Sequence, residues 1–417
     1  MKLYWIAGTV LVLTSWTARA EPPGAWTIDQ LAARGMAANA ELRSFEAEVA
    51  AAKGKRTQAG LWKNPEFTGE YGSRRVTGDG GNLAEGFTRS VTVTQTFEFP
   101  GKGSLRKAIA DKDVELADLG LRQFRSSLAG QIRSLAYQYL AASAEADAAE
   151  EIRERSDGLV KLLGQRATAG VPQLLELRVI EAGLIDLRKS AREFAQSRDE
   201  AAIELNRLLG FPASQPVRIA SVLAFPEAKV DADKWVLAGL AGNLQLRSRT
   251  AELEKAVRTV SAAKLDAAPD FSVGPFFSQD KAGDNEENLG VSLSMTLPLW
   301  NWNQGNVAAA KARRDQTDAL LADARRKVEA EILRRIRSYQ RTQAQLDGTT
   351  ERTLADLREA SDLADRQYRT GAIGVQLFLD SQRGFLAAQQ TRQEAMVQAW
   401  RDLLDLELLT GGTMEAK

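Results

Sequence analysis

Two residue types are missing altogether: the 417-residue chain has no cysteine and no histidine. Without cysteine there are no disulfides, no thiolate metal sites and no acylated anchor of the bacterial lipoprotein kind. Without histidine the chain lacks the side chain most used for acid–base chemistry near neutral pH and for binding zinc or copper. An excess of positive charge is missing too. With Lys2 and Arg19 set aside, 53 basic residues face 55 acidic ones, a net charge of about −2. Nothing suggests a nucleic-acid partner, which calls for a basic surface. Beyond the N-terminal segment no apolar run approaches the about 20 residues of a membrane helix; the clearest, Trp235 to Gly242, is far shorter. No G-x-x-x-x-G-K-[ST] loop is present. Asp356, Arg358, Glu359, Asp362 and Arg366 stand at the spacing of solvated helix pairs. An enzyme is the class least supported, and no catalytic residue, cofactor or resident metal is expected.

Residues 1–20 read as a signal peptide. Lys2 gives a positive start, Leu3 to Leu13 is apolar, and Ala18-Arg19-Ala20 puts small residues where a signal peptidase reads, so cleavage is expected after Ala20. The competing reading is an uncleaved anchor helix. Export places the rest of the chain outside the cytoplasm.

That remainder is written twice. Asn39-Ala-Glu-Leu-Arg43 returns as Asn243-Leu-Gln-Leu-Arg247, and Asn64-Pro-Glu-Phe67 as Ala268-Pro-Asp-Phe271. Pro100 answers Pro298, Gly170 answers Gly371, and Leu209-Gly210 answers Thr410-Gly411, all at offsets of 198 to 204 residues. A fixed period marks a structural repeat, here 21–220 and 221–417, each helix, strand, loop, strand, long helix, turn, helix. The long helices carry 3-4 spacing, with Leu121, Phe124, Leu128, Ile132, Leu135, Tyr139 and Ala142 in copy one. Copy two runs Ile332, Ile336, Tyr339, Gln343, Leu346, Thr350, Leu354, Leu357, Ser361, Ala364 and Tyr368. Such stripes bury one face against a partner helix, as in coiled coils. Gly103 to Gln165 contains no proline and as one helix would reach roughly 90 Å, at about 1.5 Å per residue. Helix pattern alone fits a periplasmic coiled-coil protein equally well.

The strands decide between readings. Residues 87–99 and 289–299 alternate: Val91, Val93 and Phe97 against Thr92, Thr94 and Thr96; Leu289, Val291, Leu293 and Met295 against Gly290, Ser292 and Ser294. Period two with one apolar and one hydroxyl-rich face marks a half-buried strand, and the lengths suit membrane-barrel strands. Residues 67–75 and 271–279 are the expected partners, with tips at 76–82 and 280–285. The acidic segment 280–287 reads as a solvated loop. Trp300 and Trp302 suit a membrane-interface belt or packing against the helix junction. Four strands cannot close a barrel, and lipid does not tolerate open edges; the smallest membrane barrels use about eight strands. Strands in a membrane therefore require several subunits.

Asn64-Pro-Glu-Phe67, Gln95-Thr-Phe-Glu-Phe-Pro-Gly-Lys102, Leu297-Pro-Leu-Trp-Asn-Trp-Asn-Gln-Gly305 and Tyr368-Arg-Thr-Gly-Ala-Ile373, in this order and duplicated, make the mature chain resemble the TolC-type outer-membrane channel proteins. The CzcC/CnrC-like heavy-metal branch is the nearest match. The resemblance implies a mainly α fold with a small β part: a homotrimer with a twelve-stranded outer-membrane β-barrel on a periplasmic α-helical barrel. It implies work with a periplasmic adaptor protein and an inner-membrane resistance-nodulation-division pump, exporting divalent heavy-metal cations. Drugs or other small organic compounds are the alternative cargo, and a periplasmic coiled-coil adaptor the alternative protein. It also implies a periplasmic gate at the turns near Gly170 and Gly371, with Tyr368 able to bond Glu176 and with Asp380 as part of an acidic ring. Ile373 stands where many members have arginine, and Leu377 where some have a second acid. The competing reading makes Glu176 and Asp380 ordinary surface helix charges.

Overall fold

A computed structural model of the chain describes residues 25–77, 83–166, 171–348 and 350–412; the expected signal peptide and Gly170 lie outside them. In chain order the elements are α1 (Ile28–Ala38), α2 (Ala40–Ala59), β1 (Glu66–Thr77), β2 (Leu83–Phe97), α3 (Lys102–Arg166), α4 (Val171–Leu209), α5 (Ala232–Gly242), α6 (Leu244–Leu265), β3 (Phe271–Ala282), β4 (Asp284–Met295), α7 (Gln304–Gly348), α8 (Glu351–Thr370) and α9 (Val375–Leu409).

The proline-free stretch is one helix, as its composition requires. The 65 residues of α3 extend about 98 Å. Its predicted stripe is its buried side: Leu121, Leu128, Ile132 and Ala142 are buried and Phe124, Leu135 and Tyr139 half-buried. The second copy departs from expectation. α7 ends at Gly348, and Thr350 caps the start of α8, its hydroxyl accepting from the Thr353 amide at 3.2 Å. A glycine beside hydroxyl residues weakens a helix and offers a cap instead. The stripe slips before this break, so that Thr342 rather than Gln343 is buried, and Thr350 is exposed.

Local detail recurs between the halves. Asn39 and Asn243 cap α2 and α6, each accepting from the amide three residues on, at 3.1 and 3.0 Å. Gly210 and Gly411 have φ of 69° and 67°, the left-handed region that glycine enters without steric cost. Tyr139 donates to the Val217 carbonyl and Tyr339 to that of Pro226, so each long helix ties down a connecting segment.

The helices form a layer in which α4 packs on α3, α3 on α9 and α9 on α7; toward the sheet the order is α2, α3, α6, α7. α1 packs against α3 and α5 against α7. The layer's larger apolar clusters include Ile28, Leu31, Ile132 and Leu205 in the first half; Trp235, Ile332, Tyr339 and Leu403 in the second; and Ile180, Leu184, Tyr368 and Phe378 toward the far turns. α4 and α7 are left at opposite ends of the layer.

The four strands form one antiparallel sheet in the order β1-β2-β3-β4. All four run further toward the tips than the alternation predicts. Ala282 pairs with Asp284 across Gly283, whose φ is 90°. The acidic segment 280–287 is therefore mainly strand, not loop, because one glycine suffices for the turn. Of the first tip, Val76 and Thr77 are strand, and 78–82 lie outside the described residues. At the other end β2 stops at Phe97 and β4 at Met295, short of the expected Phe99 and Leu299, where Pro100 and Pro298 turn the chain from the ladder.

Candidate functional site

Register turns the alternation into two surfaces. Phe67 pairs with Val93, Phe97 with Phe271, Phe271 with Met295, Val273 with Leu293 and Phe277 with Leu289, all on one face. The opposite face pairs Thr68 with Thr92, Thr96 with Ser272 and Ser272 with Ser294. Its hydroxyls bond one another and nearby groups: Thr96 and Ser272 are 2.9 Å apart, and Ser90 donates to Glu70 at 3.2 Å. Near the tips Arg74 pairs with Asp280 at 2.9 Å and Glu286 at 3.7 Å, so part of the acidic segment is neutralised across the sheet.

The apolar face is uncovered within the protomer. Phe67, Tyr71 and Leu289 are 72%, 81% and 84% exposed. Leaving such side chains in water forgoes about 1.5–3 kcal/mol each, and a contiguous patch of them marks an interaction surface. Among the described residues no helix is long and apolar enough to cross a membrane. Both edges, β1 and β4, carry free ladder positions. Trp300, 86% exposed, and Trp302, also exposed, follow β4 and do not pack into the helix junction. Asn303 holds their turn, with φ of 60° and its side-chain Nδ2 donating to the Ala263 carbonyl at 2.7 Å.

Sequence reading passed over the clasp that joins sheet to helices. Asp270 accepts from the Lys102 ammonium at 2.8 Å and the Phe99 amide at 3.1 Å, with Lys63 at 3.5 Å. Partial burial alone would push the Asp270 carboxyl up; Lys102, the amide and Lys63 overcome it and hold the group below its ordinary value. Beside it Arg106 grips Glu98 with two bonds of 2.8 and 2.9 Å. The signal was available, since Glu98, Lys102 and Asp270 all belong to the recurring Pro-containing motifs.

At the far end of the helices, Gly371 closes α8 with φ of 78°, and the amides of Gly371 and Ala372 bond the Tyr368 and Gln367 carbonyls at 3.0 and 2.9 Å, a left-handed helix stop. Tyr368 is buried and stacks on Phe378 at 5.3 Å. Asp380 is exposed on α9 and accepts from Gln376 at 3.0 Å. Gly183 of α4 lets Leu379 of α9 approach, since a Cβ there would stand 2.6 Å from its Cδ1. Ser361 and Gln382 make a buried polar pair between α8 and α9, with bonds of 2.8 and 3.0 Å. Tyr368 and Asp380 thus share one end of the bundle. The side chain of Glu176 lies outside the described residues.

The family model for outer membrane efflux proteins matches residues 33–211 and 237–412. The chain belongs to this family. The outer membrane efflux proteins are channels, not enzymes, and this one is an outer-membrane efflux channel with a large periplasmic part. The pyoverdine export outer membrane protein OpmQ of Pseudomonas aeruginosa is 22% identical over 394 residues, covering 88% of this chain and 81% of OpmQ. Solved structures share the fold. The CmeC outer membrane channel of Campylobacter jejuni superposes with a TM-score of 0.76 at 14% identity, over 100% of this chain and 95% of CmeC. The channel protein CusC does so at 0.72 and 16% identity, over 94% and 96%.

Proposed function

We propose that three copies of this chain assemble into one duct. Each chain contributes its repeats, 21–220 and 221–417, with residues 1–20 removed on export. The observation that carries this reading is the sheet itself: four strands, two open edges and one uncovered apolar face. In lipid the edges must be paired. β1 and β4 run in opposite directions, so β4 of one copy can continue the antiparallel ladder onto β1 of the next, and three sheets make twelve strands. The hydroxyl-rich face then lines the water-filled interior, the apolar face meets lipid, and Trp300 and Trp302 lie at its periplasmic border.

The helical layer continues the duct across the periplasm, where an adaptor protein links it to an inner-membrane resistance-nodulation-division pump. The pump supplies the energy. A hydrogen bond between Tyr368 and Glu176 closes the end near Gly170 and Gly371, and three copies of Asp380 favour cations there. The cargo is divalent heavy-metal cations, a reading supported by the sequence resemblance to the heavy-metal branch. The absence of cysteine and histidine does not oppose it, because conduction calls for weak sites. The 22% identical relative that exports pyoverdine favours the second reading, a small organic compound. Deleting the gene distinguishes them. Lost tolerance to zinc, cobalt, cadmium or nickel supports metal cargo, and unchanged tolerance to all four rejects it.

A further inference from the structure

The two ends of the helical layer carry opposite, unused charge at the same height. On α7, Arg334, Arg337, Arg341 and Ala344 line one groove. At about 100° per residue this face lies opposite the buried Ile332, Ile336 and Tyr339, so it turns away from α9. Arg334 pairs with Glu331 at 2.8 Å. Arg341 donates only to the Arg337 carbonyl, at 3.3 Å, and neither Arg337 nor Arg341 has an acidic partner among the described residues.

On α4 the face opposite the buried Leu187, Ala191 and Leu205 carries Glu193, Gln196, Glu200 and Ile203 between Lys189 and Arg207, with Glu204 at its margin. Among the described residues Glu200 accepts only from Gln196, at 2.7 Å, and Glu193 only approaches Lys189, at 3.7 Å. The heights can be matched through the recurring glycine contacts. Ile132 touches Gly35 and Ile332 touches Gly239 in the same way, so the two isoleucines occupy one level. Ile132 also shares a cluster with Leu205 and Leu208 of α4, and a Cβ on Gly35 would lie 3.4 Å from the Leu208 carbonyl oxygen. α3 and α4 run antiparallel, so descending from the isoleucines to the level of Arg334 through Arg341 passes α4 from about residues 203–206 to about residues 196–199.

We infer that this arginine stripe of α7 seats against the glutamate stripe of α4 on the next copy of the chain, with Arg337 opposite Glu200 and Arg341 toward Glu193. The inference rests on the three-copy reading and names the seam that fixes its order and vertical register. Opposite charges at matched height reward one register and penalise a slip. α4 and α7 stand at opposite ends of one layer, so these residues meet only between copies.

The chain has no cysteine, which makes disulfide trapping clean. Full-length protein carrying Arg337→Cys with Glu200→Cys, oxidised in outer membranes, is expected to give reducible dimers and trimers that neither single variant gives. A wild-type protein that is monomeric in detergent overturns the three-copy reading and this seam with it. A trimer in which the double-cysteine variant does not cross-link overturns the seam alone. Charge reversal provides a second measurement. Arg337→Glu with Arg341→Glu is expected to raise the concentration for half-assembly by roughly tenfold, and adding Glu193→Lys and Glu200→Lys to restore it. A quadruple variant no better assembled than the double contradicts the pairing.

Discussion

Gly239 and Ile332 are in such close contact that a Cβ on the glycine would lie 2.2 Å from the isoleucine Cδ1. The same 2.2 Å separates the corresponding point on Gly35 from Ile132. One helix-crossing contact is thus used twice, and at each crossing a Cβ fits only if the tip of the buried isoleucine moves. Gly239→Ala should destabilise the protein by about 1–3 kcal/mol, overpacking outweighing the better helix propensity of alanine. Adding Ile332→Val removes the offending methyl and should recover most of the loss. Thermal unfolding in detergent measures both; an alanine variant as stable as the parent would show that the crossing can spread.

Glu145, on α3, is only 9% exposed. Burial, with a smaller contribution from Glu394, pushes its carboxyl up to about 7 from an ordinary 4.5. Between these values folding takes up a proton. The group's contribution to stability therefore falls as pH rises through this window and levels off above about 7, a loss of order 3 kcal/mol at most. Glu145→Gln should flatten that part of the stability–pH curve and leave the variant more stable than the parent above neutrality. Unfolding temperatures from pH 5 to 8 would test this, parallel curves being the contrary result.

Asp270 is the opposite case. Lys102, the Phe99 amide and Lys63 hold its carboxyl low against the effect of burial. The clasp it makes should be intact above the ordinary carboxylate value and lost only as pH falls through the depressed one. Asp270→Asn keeps an acceptor for the Phe99 amide but discards the charge, and should cost about 1 kcal/mol, a modest figure because the site is partly solvated. The loss should shrink in acid, where the parent carboxyl is protonated too. An equal deficit at every pH would assign the residue a purely steric role.

If a Tyr368–Glu176 bond closes the periplasmic end, Tyr368→Phe combined with Glu176→Gln should raise single-channel conductance in planar bilayers. The bond is worth only about 0.5–1.5 kcal/mol net, and Tyr368→Phe alone removes its donor, so that single variant should match the double. Closed-state conductance equal to the parent's in the double variant removes the latch. Asp380→Asn should lower the preference for cations over anions in the same recordings.

The helices and strands were legible because their periods are physical necessities. Alternation in 289–295 exists because β4 faces two solvents, and the stripe from Leu121 to Ala142 because α3 buries one side. Strand ends were read less well. Alternation fades at Asp280 to Glu287, where both faces are polar, yet the ladder continues because pairing needs only backbone groups. The break after Gly348 was hidden by a stripe that looks continuous through Thr350, since a capping threonine and a seam threonine have the same letter. The residues of the clasp stood in the recurring motifs, but the meeting of Lys102 with Asp270 was not legible, and neither was the matched height of the charged stripes on α7 and α4. Lys102 and Asp270 are about 170 positions apart and Glu200 and Arg337 about 140, and no local period relates such positions. Of the end with the proposed gate, the glycine stop at Gly371 was readable from one residue, whereas the burial of Tyr368 against Phe378 needed the fold.

A sheet that is one third of a shared barrel fixes the number of chains in the particle. Light scattering of the full-length protein purified from outer membranes in detergent tests it most directly. A shared barrel gives a particle with three chains that requires detergent to remain soluble. A stable monomer that stays soluble without detergent would contradict it.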